Sequence, residues 1–313
     1  MIGIDDIEAA RTRIAPHTRR TPVMRLTGAK DALPVEAQVV LKLECLQVTG
    51  SFKARGAMNR LLGAPAQEVA NGIVTASGGN HGLAVARTAY AANTEATIFL
   101  PSNVSPAKLA KMKQWGARTQ IVGDAWDEAN AAALDFAQTM GATYFHPFAD
   151  PLVVAGQGTL GLEILDDLPD IDTILVAIGG GGLISGLATA VAARRPEIRV
   201  IGIEPTGSPT LKASLDAGQC VKLANLTTRV PTMACRETDP RIFEIVRASV
   251  PQIILVSDEA MEAAARWLWF ETGVAADLSG AASIAALQSG DSILNGCRSI
   301  CALVCGAGAE GIS

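Results

Sequence analysis

The sequence is poor in charged and aromatic side chains. Charged residues make up 18% and aromatic residues 4% of the 313 residues, and the formal net charge is −5. No basic run interleaved with aromatic residues occurs, which argues against a nucleic acid as a partner. Hydrophobic residues reach 49%. A chain of this length and composition can bury a large core, and two packed lobes are the expected organisation.

The sequence predicts neither a secretion signal nor a membrane span. The N-terminus carries Asp5, Asp6 and Glu8 where a signal peptide would be basic, so we expect a cytoplasmic protein, with Asp5 capping the first helix. Residues 173–193 carry no charge, close to the roughly 20 residues that span a bilayer. Four consecutive glycines interrupt them, and each costs about 1 kcal/mol relative to alanine in a helix. A strand, a glycine turn and a helix are the better interpretation, and no membrane partner is expected.

The six cysteines show no metal-binding spacing. They are Cys45, Cys220, Cys235, Cys297, Cys301 and Cys305. The last three are spaced four apart, without a CxxC pair or a neighbouring histidine to complete a tetrahedral zinc site. We therefore expect free thiols, mostly buried, and no bound metal.

Apolar strand-like runs alternate with alanine-rich helical patterns along most of the chain. This alternation predicts an α/β fold with parallel sheets in two open lobes. Residues 67–147 form a βαβαβα pattern that makes a small domain. Residues 1–66 and 148–313 make the large domain, into which the small one is inserted.

One lysine lies in an unusual setting. Lys53 follows Ser51 and Phe52 and precedes Ala54, Arg55 and Gly56 at the predicted start of a helix. A lysine among small residues can be partly desolvated and kept unprotonated. That is the state in which an amine forms a Schiff base with an aldehyde cofactor.

The four glycines are a candidate phosphate cradle. Gly179, Gly180, Gly181 and Gly182 connect the predicted strand to the predicted helix. Backbone N–H groups at such a turn can bind a phosphate, and without side chains the backbone approaches it closely. A plain tight turn is the competing interpretation. The spacing fits neither the GxGxxG fingerprint nor the P-loop.

Two further turns carry candidate binding groups. Ser77, Gly78, Gly79, Asn80 and His81 open a helix after a predicted strand, where hydroxyl and backbone donors suit a carboxylate. Asn80 can donate to a phenolic oxygen, whereas His81 alone would be interpreted as a packed helix residue.

Cys305 ends the last predicted strand, where open α/β sheets place ligands. A neutral thiol there makes a weak hydrogen bond to a ring nitrogen or fills the core.

Together these strings resemble the fold-type II pyridoxal-phosphate enzymes, which are similar in fold to the tryptophan synthase β subunit, and within them the threonine/serine dehydratase and serine racemase group. The matching motifs follow the family's order along nearly the whole chain. They are Thr21-Pro22, residues 51–57, residues 77–82, Gly156-Gln157-Gly158-Thr159, residues 179–182, Glu204-Pro205 and Cys305-Gly306.

The resemblance implies a role for each matching residue. Lys53 would form the Schiff base with pyridoxal 5′-phosphate and act as the α-proton base. The other cofactor-binding residues would be Phe52, Asn80, Gly179, Gly180, Gly181, Gly182 and Cys305. The substrate carboxylate would be held by Ser77, Gly79, Asn80 and His81. The implied reaction is β-elimination from L-threonine or L-serine to a 2-oxo acid and ammonia, in a homodimer.

Departures from the family pattern leave the reaction open. Racemases of the group carry a second serine where this chain has Gly78, so we expect little racemase activity. Glu204 lacks the second carboxylate of the family's divalent-cation site. Asp277 replaces a common glutamate and Gly308 a common asparagine. Residues 231–236 resemble a branch that includes hydroxyectoine-utilisation dehydratases. The competing functions are dehydration of another hydroxy amino acid, such as 3-hydroxyaspartate, serine racemisation, β-replacement of the cysteine synthase type and cofactor binding without turnover.

Overall fold

Ten strands form two sheets in the computed structural model, which describes residues 2–250 and 252–312. The larger sheet has six strands in the order β1-β2-β10-β7-β8-β9. They are β1 (Val23–Arg25), β2 (Gln38–Lys42), β7 (Thr173–Ala177), β8 (Arg199–Pro205), β9 (Ile253–Val256) and β10 (Ser299–Leu303). The smaller sheet has the order β5-β4-β3-β6. Its strands are β3 (Ile73–Ala76), β4 (Ala96–Leu100), β5 (Arg118–Ile121) and β6 (Thr143–Tyr144).

The prediction of an α/β fold with parallel sheets is confirmed, with one exception at a sheet edge. All neighbours in the smaller sheet pair in parallel, as do β2, β10, β7, β8 and β9 in the larger one. Strand β1 pairs antiparallel with β2. The loop of residues 26–37 returns the chain directly beside β1 without a crossover helix, and such a return gives an antiparallel pair.

Eleven α-helices occur in the described residues. They are α1 (Ile4–Ile14), α2 (Lys53–Gly63), α3 (Asn80–Ala91), α4 (Pro106–Gln114), α5 (Trp126–Met140), α6 (Pro151–Asp167), α7 (Gly182–Arg194), α8 (Thr210–Ala217), α9 (Pro240–Ser249), α10 (Asp258–Thr272) and α11 (Leu278–Gln288). In this part of the chain no helix combines the length and the apolar character needed to cross a membrane.

The prediction that Asp5 caps α1 is wrong. The helix begins at Ile4 after Gly3, whose backbone N–H donates to Asp6 at 2.8 Å.

The uncharged stretch folds as a strand, a glycine turn and a helix, as predicted. Strand β7 is buried at each of its five residues, and α7 begins at the last glycine. Such a strand is buried on both faces, and its continuous apolar sequence reflects that position rather than a lipid environment.

The smaller sheet contains one strand more than the βαβαβα pattern predicts. Strand β6 pairs with β3 and is only two residues long, too short to show a periodicity. Strands β3 to β6 all fall within residues 67–147, and the six strands of the larger sheet all fall outside that range. We therefore keep 1–66 with 148–313, and 67–147, as the proposed extents of the two domains.

The two sheets bring several loops to one region. Strands β7 and β10 are neighbours in parallel, so the glycine turn after β7 and Cys305 after β10 lie at the same edge. Strand β3 leads into the loop of residues 77–82. A Cβ atom on Gly79 of this loop would lie 3.5 Å from Thr232 Cγ2, and one on Gly179 would lie 2.8 Å from the Thr232 carbonyl oxygen. We call residues 77–82 the asparagine loop and residues 179–182 the glycine loop. The two loops therefore face one another across Thr232.

Candidate active site

Lys53 is the first residue of α2, and its side chain reaches into this region. Its Nζ donates to the carbonyl oxygen of Pro147 at 2.7 Å and lies 5.2 Å from the centre of the Phe52 ring. Burial lowers the pKa of Lys53 to about 8, although Cys305 and Cys235 act in the opposite direction. The amine is therefore much closer to its neutral, nucleophilic form than an exposed lysine is.

A buried ion-pair cluster holds the helix that carries this lysine. Arg55, close to it on α2, donates to both carboxylate oxygens of Glu44 at 2.8 and 2.7 Å and to Glu163 at 2.9 Å. Lys42 is fully buried and donates to Glu163 at 2.7 Å. Removing one partner from such a buried pair typically costs about 3–5 kcal/mol. The cluster therefore keeps α2, and with it the Lys53 amine, in one orientation.

The glycine loop has no room for side chains. A Cβ atom on Gly180 would collide with the Phe148 ring, and one on Gly182 would lie 2.7 Å from the Phe148 carbonyl oxygen. Gly181 has φ +91° and is the N-cap of α7, a conformation that favours glycine. The first N–H groups of a helix have no partner within the helix. The loop therefore offers backbone donors and the positive end of a helix dipole, which suit a phosphate.

The asparagine loop is anchored by two adjacent side chains, those of Asn80 and His81. The Asn80 side-chain amide donates to Asp277 Oδ2 at 2.7 Å. His81 Nε2 lies 3.1 Å from the carbonyl oxygen of Phe145, which can only accept, so Nε2 carries the proton. Burial, assisted by Lys53, lowers the pKa of His81 to about 3, so this imidazole is neutral. These contacts fix the backbone of the loop, in which the N–H of Ser77 donates to Phe99 and that of Gly79 to Ser77 Oγ. The N–H groups of Asn80 and His81, in the first turn of α3, have no partner within the helix.

Asp277 connects the asparagine loop to Cys305. Its Oδ1 accepts from Ser279 Oγ and from the backbone N–H of Gly280, both at 2.7 Å, and caps α11. Cys305 Sγ lies 3.8 Å from Ser279 Oγ. Burial, and next the charge of Asp277, raise the pKa of Cys305 well above its usual range. The thiol is therefore neutral at physiological pH, as required of a weak partner for a ring nitrogen.

The donor set around Lys53 fits pyridoxal phosphate. An aldehyde needs a poorly protonated amine, a phosphate needs backbone donors, and a pyridine nitrogen next to a neutral thiol is not forced to be protonated. Ser51 Oγ is buried beside Lys53 and has no hydrogen-bond partner among the described residues. A buried hydroxyl without a hydrogen-bond partner is uncommon in folded proteins. The Ser51 hydroxyl is therefore available to bind a ligand in this site.

The residues around Glu204 do not fit a divalent cation. The two carboxylate oxygens of Glu204 each accept a backbone N–H at 2.8 Å, from Leu211 and Lys212 in the first turn of α8. Burial raises the pKa of Glu204 to about 7. Across residues 2–250 and 252–312, no three His, Cys, Asp or Glu residues are placed to hold a metal ion. Glu204 stabilises the start of a helix.

All six cysteines are free, as expected. Cys301 lies inside β10 and Cys297 near its start, each buried. Of Cys297, Cys301 and Cys305, it is Cys305 that lies at the candidate active site.

Sequence reasoning missed the segment of residues 145–150, which connects β6 to α6. Pro147 provides the carbonyl oxygen that accepts from Lys53, Phe145 binds His81, and Phe148 packs against the glycine loop. The signal was a histidine and a proline directly after a parallel strand, the position where open α/β sheets build binding sites. The sequence also did not predict that Thr232 lies between the asparagine loop and the glycine loop.

Comparisons with known proteins agree with this arrangement. Residues 14–306 match the family model described as pyridoxal-phosphate dependent enzyme. An L-threonine ammonia-lyase of Geobacter sulfurreducens is 38% identical over 281 residues, which are 90% of this chain and 69% of the relative. The structure of maize serine racemase has a TM-score of 0.92 at 33% identity and covers 97% of this chain and 93% of its own. A threonine deaminase from T.th. has a TM-score of 0.89 at 34% identity and covers 98% of each chain.

The match extends over almost the entire chain, and it includes the loops that surround Lys53. The residues that line the site provide the chemistry that the family's cofactor requires. This chain therefore belongs to the family of pyridoxal-phosphate dependent enzymes.

Proposed function

We propose that this protein is an ammonia-lyase that converts L-threonine, L-serine or both into a 2-oxo acid and ammonia. The observation that carries the proposal is the Lys53 amine, whose pKa is lowered to about 8 and which lies among the glycine loop, the asparagine loop and Cys305. Similarity to L-threonine ammonia-lyase over 90% of the chain supports the substrate class.

We assign the cofactor contacts to three loops and the start of α2. Lys53 would bond the aldehyde carbon, and Phe52 would pack beside the ring. Residues 179–182 would hold the phosphate. Asn80, whose amide retains a second N–H beyond the one bound to Asp277, would donate to the phenolic oxygen. Cys305 would be the partner of the ring nitrogen. When bound, the cofactor withdraws electrons from the substrate's α-carbon and makes its proton acidic.

The substrate carboxylate is assigned to the asparagine loop. Ser77 Oγ and the backbone N–H groups of Gly79, Asn80 and His81 lie at the start of α3, where helix N–H groups favour an anion. Without substrate, the Gly79 N–H donates to Ser77 Oγ at 3.3 Å, so we assign to Gly79 a contact that replaces this bond. We assign the backbone rather than the ring of His81, because the ring donates to Phe145.

Lys53 is the proposed base, and it acts alone. Its role would be to remove the α-proton of the bound amino acid, and the pKa of about 8 matches this task near neutral pH. Position 78 is a glycine, which offers no hydroxyl for the opposite face. A Cβ atom there would lie 3.3 Å from Val104 Cγ2, so the space beside the loop is occupied by an apolar side chain. Elimination is therefore favoured over racemisation.

A different hydroxy amino acid is the second candidate substrate. Residues 231–236 resemble a branch that includes hydroxyectoine-utilisation dehydratases, and Thr232 of this segment lies next to Gly79 and Gly179 of the two binding loops. The segment therefore lies where it can contact the substituent on the β-carbon. We place β-replacement of the cysteine synthase type and serine racemisation behind elimination.

Two finer proposals complete the function. We propose that the protein is a homodimer, which rests on the family resemblance, and that it acts in the cytoplasm, as expected from the sequence. Its partner is a small amino acid, and no nucleic acid or membrane partner is proposed.

A 2-oxo acid release assay tests the proposal. The substrates are L-serine, L-threonine, 3-hydroxyaspartate and larger hydroxy amino acids, with Lys53→Ala as the control. We expect the fastest turnover with L-threonine or L-serine and none in the variant. Faster turnover with a larger hydroxy amino acid would favour the second candidate. Cysteine formation from O-acetylserine and sulfide that exceeds deamination would favour β-replacement. A yellow protein without turnover would favour cofactor binding alone.

A further inference from the structure

The turn after β6 is closed by a histidine side chain. His146 Nδ1 lies 3.2 Å from the backbone nitrogen of Phe148 and 2.9 Å from that of Ala149. Both groups are N–H donors, so Nδ1 must accept and cannot carry a proton. A neutral ring then has its proton on Nε2, a tautomer set by these contacts.

This turn places two groups of the active site. Between the histidine and its two donors, the backbone presents the carbonyl oxygen of Pro147 to Lys53 Nζ at 2.7 Å. The same turn directs the Phe148 ring into the space beside Gly180 that a side chain there would occupy. The positions of the Lys53 amine and of the glycine loop therefore depend on one short segment of backbone.

We propose that His146 is a positioning residue: its unprotonated Nδ1 holds the turn that orients Pro147 toward Lys53 and Phe148 toward the glycine loop. The inference rests on the proposed role of Lys53. His146 acts through the backbone and is not assigned a contact with substrate or cofactor.

Burial is the main cause of the lowered pKa of His146, and the charge of Lys53 is the next. The carboxylates of Asp150 and Asp239 favour the protonated ring, whereas the cations Lys53 and Arg241 oppose it. Burial is the largest cause and lowers the pKa of His146 to about 4. The ring is therefore neutral at physiological pH, the state in which Nδ1 can accept both bonds.

Ring packing is the competing explanation for this residue. The imidazole contacts Phe148 edge to face, with ring centres 4.5 Å apart, and Tyr144 at 6.1 Å. If packing alone mattered, any variant without the ring would be impaired. If the Nδ1 acceptor matters, an asparagine should replace it, because its Oδ1 lies at the same number of bonds from the backbone.

Three variants of the full chain separate the two explanations: His146→Asn, His146→Gln and His146→Leu. The measurement is pyridoxal phosphate affinity, from spectrophotometric titration of the cofactor-stripped protein, with kcat and KM of the reloaded enzyme beside it. We expect His146→Asn to bind the cofactor within about threefold of the wild type, and the other two at least about tenfold more weakly, because each lacks an acceptor at the required distance. Equal impairment of all three, or wild-type affinity in all three, would overturn the proposal.

A spectroscopic measurement does not depend on turnover. The chain has three histidines, so nitrogen-15 histidine labelling of the holoenzyme gives three ring systems, assigned with His146→Asn. We expect the His146 ring as the Nε2–H tautomer, neutral down to about pH 5, below the ordinary pKa near 6.5. A proton on Nδ1, or titration near pH 6.5, would overturn the inference. If these results hold while no 2-oxo acid forms from any substrate, the proposed function fails and the positioning role stands.

Discussion

Asp277 Oδ2 accepts a hydrogen bond from the Asn80 side-chain amide at 2.7 Å, across 197 residues of sequence. The other oxygen of the same carboxylate caps α11. This side chain therefore joins the loop after β3 in the smaller sheet to the start of α11. The backbone N–H of Asp277 donates to the carbonyl oxygen of Gly306 at 3.0 Å, in the turn after β10 of the larger sheet. A Cβ atom on Gly306 would lie 2.5 Å from Asp277 Oδ2 and 2.9 Å from Asn80 Nδ2, so the glycine is needed for this contact.

Replacing Asp277 should separate its two roles. Asp277→Ser keeps a good N-cap for α11 but is too short to reach Asn80. We expect its melting temperature to stay near that of the wild type while kcat/KM falls roughly tenfold, because a charge-assisted hydrogen bond contributes about 1.5–3 kcal/mol. Asp277→Ala should lose turnover and also about 2–4 °C of melting temperature, since the cap contributes about 1 kcal/mol. Wild-type turnover in Asp277→Ser would contradict the role given to this contact.

The lowered pKa of Lys53 predicts a pH-dependent stability difference. In the folded protein the pKa is about 8 against an ordinary value of 10.5, so between these values the unfolded chain binds more protons. The free energy of unfolding of the cofactor-stripped wild type therefore rises with pH through this window. Lys53→Met removes the effect and should be most stabilising below pH 8, with the advantage lost by pH 10.5.

Denaturant titrations at several pH values measure this difference. Lys113→Met provides the control, because Lys113 is exposed on α4 and should show no such trend. A Lys53→Met advantage that is constant from pH 7 to pH 10.5 would mean that the amine is not desolvated.

Gly78 predicts that elimination greatly exceeds racemisation. A second acid–base group typically contributes a factor of about 10²–10⁴ to a proton transfer. We therefore expect D-serine formation from L-serine to be roughly a hundredfold slower than pyruvate formation, as measured by chiral chromatography of one reaction mixture. Comparable rates would show that another residue acts on the opposite face.

Glu204 predicts that divalent cations are not required. Both of its oxygens are bound to the start of α8. A chelator should leave turnover unchanged, and added magnesium or calcium should leave the melting temperature unchanged. Glu204→Ala should lower the stability by about 1–2 kcal/mol through loss of these helix contacts. Loss of activity on chelation, restored by a cation, would contradict this interpretation.

The sequence predicted the strands and loops of the site better than the hydrogen bonds that hold them together. Strand β7, the glycine turn and α7 were evident because a buried parallel strand is continuously apolar and glycines mark the turn. Strand β6 has two residues and shows no periodicity. The hydrogen bond between Asp277 and Asn80 joins residues 197 positions apart and depends on tertiary packing, which residue type and local spacing do not indicate. The turn closed by His146 is local, with partners two and three residues further on, but its contact with Lys53 through Pro147 is again long-range.

The identity of the modified lysine tests the central claim most directly. The holoenzyme is reduced with borohydride, digested and analysed by mass spectrometry to locate the pyridoxyl group. We predict that it is attached to Lys53, and that Lys53→Ala shows neither the attachment nor 2-oxo acid release. Attachment to a different lysine, or turnover retained in Lys53→Ala, would contradict the account.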